Sequence, residues 1–159
     1  MTSVAETAVK KSVVVNASVE HAFKVFTDGY DTWWPRTHHI GKSPMTKAII
    51  EAKPGGRCYT EQQDGTECDW GTVLVWEPPH RLMLAWQITH EWGYQPDLAQ
   101  SSEVDIRFTA EPGGRTRVDL EHRHFERHGA GGDDMRMKVD SPNGWGGLLD
   151  LFKHTAEKN

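Results

Sequence analysis

Cysteine is scarce: Cys58 and Cys68 are the only two in 159 residues. A disulfide-stapled scaffold is thereby excluded, and reduced thiols fit a cytosolic protein. Long apolar runs are missing too. No stretch approaches the roughly 18 residues a membrane-spanning helix needs. The polar start, Met1 to Ala8, has no apolar leader segment, which again predicts a cytoplasmic location. There is no basic surplus: 18 Lys plus Arg stand against 23 Asp plus Glu, a formal net charge of −5. Nucleic acid is a poor partner for such a surface, because phosphate contacts need a basic face. No Gly-rich loop leads to a lysine that would cradle phosphate. Ser101-Ser102 runs into Glu103 at a strand start, not into a nucleophile elbow. No repeat, low-complexity segment or break in composition divides the chain. It reads as one domain over 1–159, long enough to bury roughly 70% of its unfolded surface.

What is present is tryptophan, seven residues, and histidine, nine. The stretch Ser141 to Glu157 carries Trp145, Leu148, Leu149 and Phe152 at i, i+3, i+4 and i+7, which lines up one helical face. Ser141 is placed to cap this helix, with Pro142 at its first position. Val9 to Asn16 reads as a strand. Ser18 then caps a helix through Val19, Ala22, Phe23 and Phe26 that stops at Asp28-Gly29. A short helical turn carries Trp33-Trp34-Pro35, and Thr37-His38-His39 reads as a solvated loop.

From Thr46 the period changes to two, predicting strands near 46–53, 56–63, 66–77, 81–90, 101–111 and 115–125. The separators are short turns, so successive strands are antiparallel neighbours, and Glu91 to Gln100 is a longer connection. Leu82, Leu84, Trp86 and Ile88 share one side. So do Val104, Ile106 and Phe108, and then Val118, Leu120, His122 and His124. Val73 and Val75 join them, while Trp70, Leu74 and Trp76 face away and need a dimer partner or a loop to cover them. Asp105, Arg107, Arg117, Asp119, Glu121 and Arg123 read as a solvated face. If Asp64-Gly65 is a two-residue turn, Cys58 faces Gly71 and Cys68 faces Glu61, with the thiols on opposite sides; a bulge reverses that parity. A Gly-rich loop and a short Asp-capped helix fill 126–140. The class is α+β, with helices on one face of an antiparallel sheet.

The terminal helix cannot hide its apolar stripe alone, so the sheet must cover it. Where the two do not close fully, a ligand cavity is expected. Its walls are Phe26, Trp33, Trp34, Trp86 and Trp145, backed by Leu84, Ile106, Phe108, Leu120, Leu149 and Phe152, with His122 or Tyr59 to orient a ligand. Ordinary core packing accounts for each of these residues equally well. His122 and His124 also offer acid–base chemistry. A zinc site needs three or four ligands, and local spacing sets no third.

Several segments together resemble the START-like (SRPBCC, birch-pollen-allergen-like) superfamily, in the branch named after the activator of the heat-shock-protein-90 ATPase. They are Ala17-Ser18 to Phe26-Thr27, Trp33-Trp34, Pro54-Gly55-Gly56-Arg57, Gly71-Thr72-Val73, Glu77-Pro78-Pro79-His80-Arg81-Leu82, Trp86, Arg107-Phe108, Gly113 to His122 and Gly144-Trp145. The resemblance implies a helix-grip fold: a curved antiparallel sheet wrapped around a long C-terminal helix, with a cavity between them. It implies no cofactor and no universal catalytic motif. Members include carriers, aromatic cyclases and co-chaperones. Three readings follow: a binding domain for a small apolar or aromatic ligand, a cyclase-like enzyme using His122 or His124, and an interaction protein with a chaperone partner. A homodimer through Trp70 and Trp76 is a further expectation.

Overall fold

The computed structural model describes residues 8–158; the polar start before Ala8 lies outside them. β1 (Val9–Val15) is followed by α1 (Val19–Thr27) and α2 (Tyr30–Trp33). Then come β2 (Met45–Ile50), β3 (Arg57–Gln62), β4 (Glu67–Glu77), β5 (Arg81–Trp86), β6 (Ser102–Glu111) and β7 (Arg115–Arg123). α3 (Gly132–Asp140) and α4 (Trp145–Glu157) end the chain. The strands form one antiparallel sheet of order β1-β7-β6-β5-β4-β3-β2. It curls around α4, which makes the fold an α+β helix-grip. The expected strands are all present, each within four residues of its expected ends. The largest trim is on β5, which stops at Trp86; beyond it only an Ile88–Tyr94 bridge continues the pairing.

α1 starts where its cap dictates, with the Ser18 hydroxyl accepting from the His21 N–H at 3.1 Å. α4 does not start at Ser141. That residue ends α3, where its hydroxyl donates to the Lys138 carbonyl, and Gly144 precedes α4 without a side-chain cap. A Cβ on Gly144 would collide with the Val139 carbonyl, so the tight passage between the two helices takes that residue's place for a cap. Gly131 likewise precedes α3, leaving Asp133 and Asp134 in its first turn to meet the helix dipole. On α4 the expected stripe is buried: Trp145, Leu148, Leu149, Phe152 and, one turn on, Ala156.

Two bulges in β4 overturn the expected faces. Against β3 the pairing runs Thr60↔Cys68 and Tyr59↔Asp69, then passes over Trp70 to Cys58↔Gly71. Against β5 it runs Gly71↔Trp86 and Val73↔Leu84, then passes over Leu74 to Val75↔Met83 and Trp76↔Leu82. Each extra residue reverses the alternation beyond it. Trp70 and Val73 are therefore buried inside, and Trp76 packs edge-on against Phe23 at 5.2 Å. Val75 turns out instead, opposite Met83. Trp70 is thus covered by the chain itself, and Trp76 is partly covered by Phe23, so neither is the fully outward indole that the dimer expectation started from. Parity also changes for the thiols. Cys68 faces Thr60, not Glu61, so it shares the inner side with Cys58, and both remain free.

Asp105 is not solvated either. It is 4% exposed on the outer face and receives Arg81 at 3.1 Å, Arg107 at 3.2 Å and Arg123 at 3.3 Å. Burial alone would raise its pKa; the Arg81 hydrogen bond and the charges of Arg107 and Arg81 outweigh that and leave it below the usual Asp value. Its contribution is therefore complete above the unfolded Asp pKa of about 3.9 and lost as pH falls through the lower folded value. Asp105→Ala is expected to lower urea-unfolding stability at neutral pH by about 2 kcal/mol, less than a fully buried pair because the arginines keep contact with water. The loss shrinks when the titration is repeated near pH 2.

Candidate functional site

The space between sheet and α4 is filled at one end and hollow at the other. At the filled end Phe26 meets Trp33 at 5.0 Å, Phe152 at 5.2 Å and Phe108 at 5.7 Å between ring centroids. Leu84, Ile106, Leu120 and Leu149 complete that packing. Eight of the expected wall residues, Phe26, Trp33, Leu84, Ile106, Phe108, Leu120, Leu149 and Phe152, are thus solid core, and none lines the cavity. Tyr59 lies on the other side of the sheet, paired with Asp69 and covered by the Arg57 guanidinium at 4.1 Å.

The hollow end holds a cavity of about 700 Å³, within the range of small-molecule sites. Its walls are indoles. Trp34 stacks parallel to Trp70 at 6.1 Å, Trp70 meets Trp86 at 5.6 Å, Trp86 meets Trp145 at 5.7 Å, and Trp145 returns to Trp34 at 6.3 Å. Three of the four were expected there. Trp70 was missed because only the bulge turns it inward. Tyr30 backs the ring, stacked on Trp34 at 4.9 Å. Ile40, Ile88 and Leu148 extend the apolar wall, and Thr60 and Cys68 add small polar groups. Burial, with lesser help from the nearby Asp64 and Asp69 charges, raises the Cys68 pKa, so the sulfur is a thiol.

Polar and exposed groups gather at the mouth. The 37–39 loop is folded across it, not free in solvent. His38 Nε2–H donates to the Asn143 carbonyl at 3.0 Å, tying the loop to the α3–α4 connection, and Thr37 Oγ1 lies 3.1 Å from His38 Nδ1. The Trp34 indole donates to the His38 carbonyl at 2.8 Å. On the opposite rim Lys138 pairs with Asp134 at 3.0 Å and lies over the Trp92 ring. Trp92 is half exposed and holds a φ of 62°, a region that bulky side chains rarely enter.

His122 stands behind this wall, fully buried. Its Nδ1 lies 3.0 Å from Trp145 Nε1, and its Nε2 lies 2.7 Å from Ser102 Oγ, which is itself 2.7 Å from His128 Nε2. An indole nitrogen only donates, so Nδ1 of His122 accepts and its Nε2 carries the proton. Ser102 then accepts from His122 and donates to His128 Nε2. One direction runs through the whole chain, and both imidazoles are neutral. Burial and the neighbouring His128 push the His122 pKa well down; burial and His90 lower that of His128. His122 therefore has no nitrogen left for a ligand. His124 leaves the strand at a φ of 66° and bonds to Glu126 instead. Ser102 and His128, missed in the sequence, are recognisable only once β6, β7 and the turn after β7 are brought together.

Among the described residues, the Nε1–H groups of Trp70 and Trp86 have no acceptor, whereas those of Trp33, Trp34 and Trp145 are all bonded. No group of three or more His, Cys, Asp or Glu side chains is placed to hold a metal, and no helix is long and apolar enough to cross a membrane, again among the described residues.

The family model described as activator of Hsp90 ATPase homolog 1-like protein matches residues 16–157. Among solved structures, the chain is 41% identical to an anthrahydroquino-γ-pyrone synthase, Txn09, solved in complex with SUM. That match covers 92% of this chain and 95% of the other, with a TM-score of 0.66. It is 29% identical to the self-sacrificing resistance protein CalC from Micromonospora echinospora, over 95% and 94% of the two chains, at a TM-score of 0.67. A protein from Nitrosomonas europaea, NE0264, is 17% identical over 97% and 96%, also at 0.67, and shares the fold. No curated protein matches the chain significantly.

His122→Leu is expected to cost about 1–3 kcal/mol, because it strands the Trp145 N–H, while Ser102 keeps its bond to His128. A folded-state pKa below the unfolded value of about 6.5 means that wild-type stability is complete above that pH and lost as pH falls beneath it. Urea midpoints at pH 7 and pH 5 should therefore differ less for His122→Leu than for the wild type.

Proposed function

The chain belongs to the activator of Hsp90 ATPase homolog 1-like family, and on that premise we propose that it binds a planar, fused-ring aromatic compound in the indole-walled cavity. One observation supports this reading: four tryptophans from α2's C-terminal end, β4, β5 and α4 pack into one continuous aromatic cluster that lines the cavity. Flat π faces at these spacings favour a flat, polarisable ligand over a flexible alkyl chain. A quinone-type polycycle has that flat, polarisable shape. The same features count against a chaperone as the main partner, because the distinctive chemistry lies inside the molecule.

A second reading adds chemistry to the binding: ring closure of an aromatic polyketide. What favours it is the 41% identity over nearly the whole chain to a protein named as an anthrahydroquino-γ-pyrone synthase, together with histidines at the cavity wall. Binding is the primary conclusion, and ring closure is its extension.

An unsubstituted anthraquinone should quench tryptophan fluorescence and raise Tm. Trp70→Leu is expected to weaken that binding about tenfold, the loss of roughly 1.4 kcal/mol of aromatic contact. Phe152→Leu, in the filled end, should leave the Kd within about twofold. Equal losses in both variants, or no quenching of the wild type, would remove the cavity from the explanation.

A further inference from the structure

Nine histidines are present, and only His38 and His39 line the cavity. Their situations differ. Both nitrogens of His38 are engaged, Nε2 with the Asn143 carbonyl and Nδ1 with Thr37 Oγ1. His122 and His128 are engaged in the buried chain behind Trp145. His39 Nδ1 is sealed without a partner, whereas its Nε2 bonds to no other described residue and stays accessible, so Nε2 is the nitrogen open to a substrate. A cavity-lining imidazole nitrogen that no protein group occupies is within reach of a substrate proton.

We infer that His39 is the general acid–base of the cavity, acting on a polycyclic phenol that carries a 1,3-diketone chain beside its hydroxyl. This rests on the ring-closure reading above and names the residue and substrate class it requires. The imidazole takes the phenol proton while the phenol oxygen bonds to the distal ketone carbon. The electron pair of that C=O moves to its oxygen, which receives the proton from the imidazolium and becomes a hemiketal hydroxyl. The imidazole then takes a proton from the carbon between the carbonyls and delivers it to the departing hydroxyl. Water leaves, a C=C bond forms, and the ring is a γ-pyrone. The balance is substrate to product plus one water, with His39 returned neutral and no oxidant or reductant consumed.

The setting suits this step. The indole walls replace bulk water around the reacting atoms, which favours loss of water from the hemiketal. The backbone that carries His39 is held at the cavity by the bond from His38 to Asn143 and by the bond from Trp34 to the His38 carbonyl. Placing the acid–base group here also differs from the expectation drawn from strand alternation, which pointed to His122 and His124.

The test uses the full chain, an anthraquinone bearing an acetoacetyl group next to a phenol as the substrate probe, and the unsubstituted anthraquinone as a binding probe. His39→Gln and His39→Ala are expected to lower kcat roughly 100-fold or more while leaving anthraquinone affinity within about twofold. Added imidazole should restore part of the rate in His39→Ala and none in His39→Gln. A wild-type protein that converts the probe while His39→Gln retains its rate within about threefold overturns the role of His39 and leaves ring closure standing. A wild-type protein that binds anthraquinone but converts none of the probe overturns ring closure and the role of His39 together. Loss of rate together with loss of anthraquinone binding, or without imidazole rescue, makes the effect one of cavity shape and also overturns the assignment.

Discussion

A buried indole N–H must find an acceptor, and the rest of the site follows from how this molecule satisfies that demand at Trp145. The residue is the first of α4, so its ring sits where the terminal helix enters the grip of the sheet. His122 on β7 accepts its proton. That choice dictates the tautomer of His122, which makes Ser102 on β6 an acceptor from it and a donor to His128 in the turn that follows β7. Three stretches distant in sequence, β6, β7 with its following turn, and α4, are thereby held in register by three hydrogen bonds inside a low-dielectric interior, where such bonds are strong and their loss is costly. The wall of the cavity is rigid because the polar chain behind it is complete.

The same architecture explains why only half of the grip is hollow. At the closed end α1 and α4 lay phenyl rings against β6, and the edge-on contacts of Phe26 with Phe108 and Phe152 leave no free volume. Toward the entrance α3, the 37–39 loop and the start of α4 replace α1 as the cover. The cover there meets the sheet through Trp34 on Trp70 and Trp145 on Trp86, and its own segments are tied by individual hydrogen bonds. The hollow end is a space of small-molecule size, as a ligand-binding domain requires. The family match and the neighbouring structures agree with that reading of the fold, and the indole ring is what individualises it.

Much of this was legible from residue order. The alternation of Val104, Ile106 and Phe108, and of Val118, Leu120 and His122, placed two strands correctly because nothing interrupts the β6–β7 ladder. The 3.6 period of Trp145, Leu148, Leu149 and Phe152 marked the face of α4 for the same reason. β4 defeated the approach. A bulge inserts one residue without any change in composition, so Trp70 and Trp76, read as outward and in want of a partner, belong to the interior. The outer face hid a comparable surprise at Asp105. Its position between arginines on three different strands turns an apparently solvated carboxylate into a buried one.

By itself the amino-acid sequence determined the elements, their order, the antiparallel class of the sheet and the apolar stripe that the sheet must cover. Those are set by local periodicity, by caps and by turn residues, each readable within a window of a dozen positions. The tertiary structure alone decided which end of the grip stays hollow, which tryptophans surround the hollow, and which histidine is left unbonded beside it. Strand parity beyond a bulge, and the partner that consumes an imidazole nitrogen, depend on residues tens of positions away, and no local pattern carries that information.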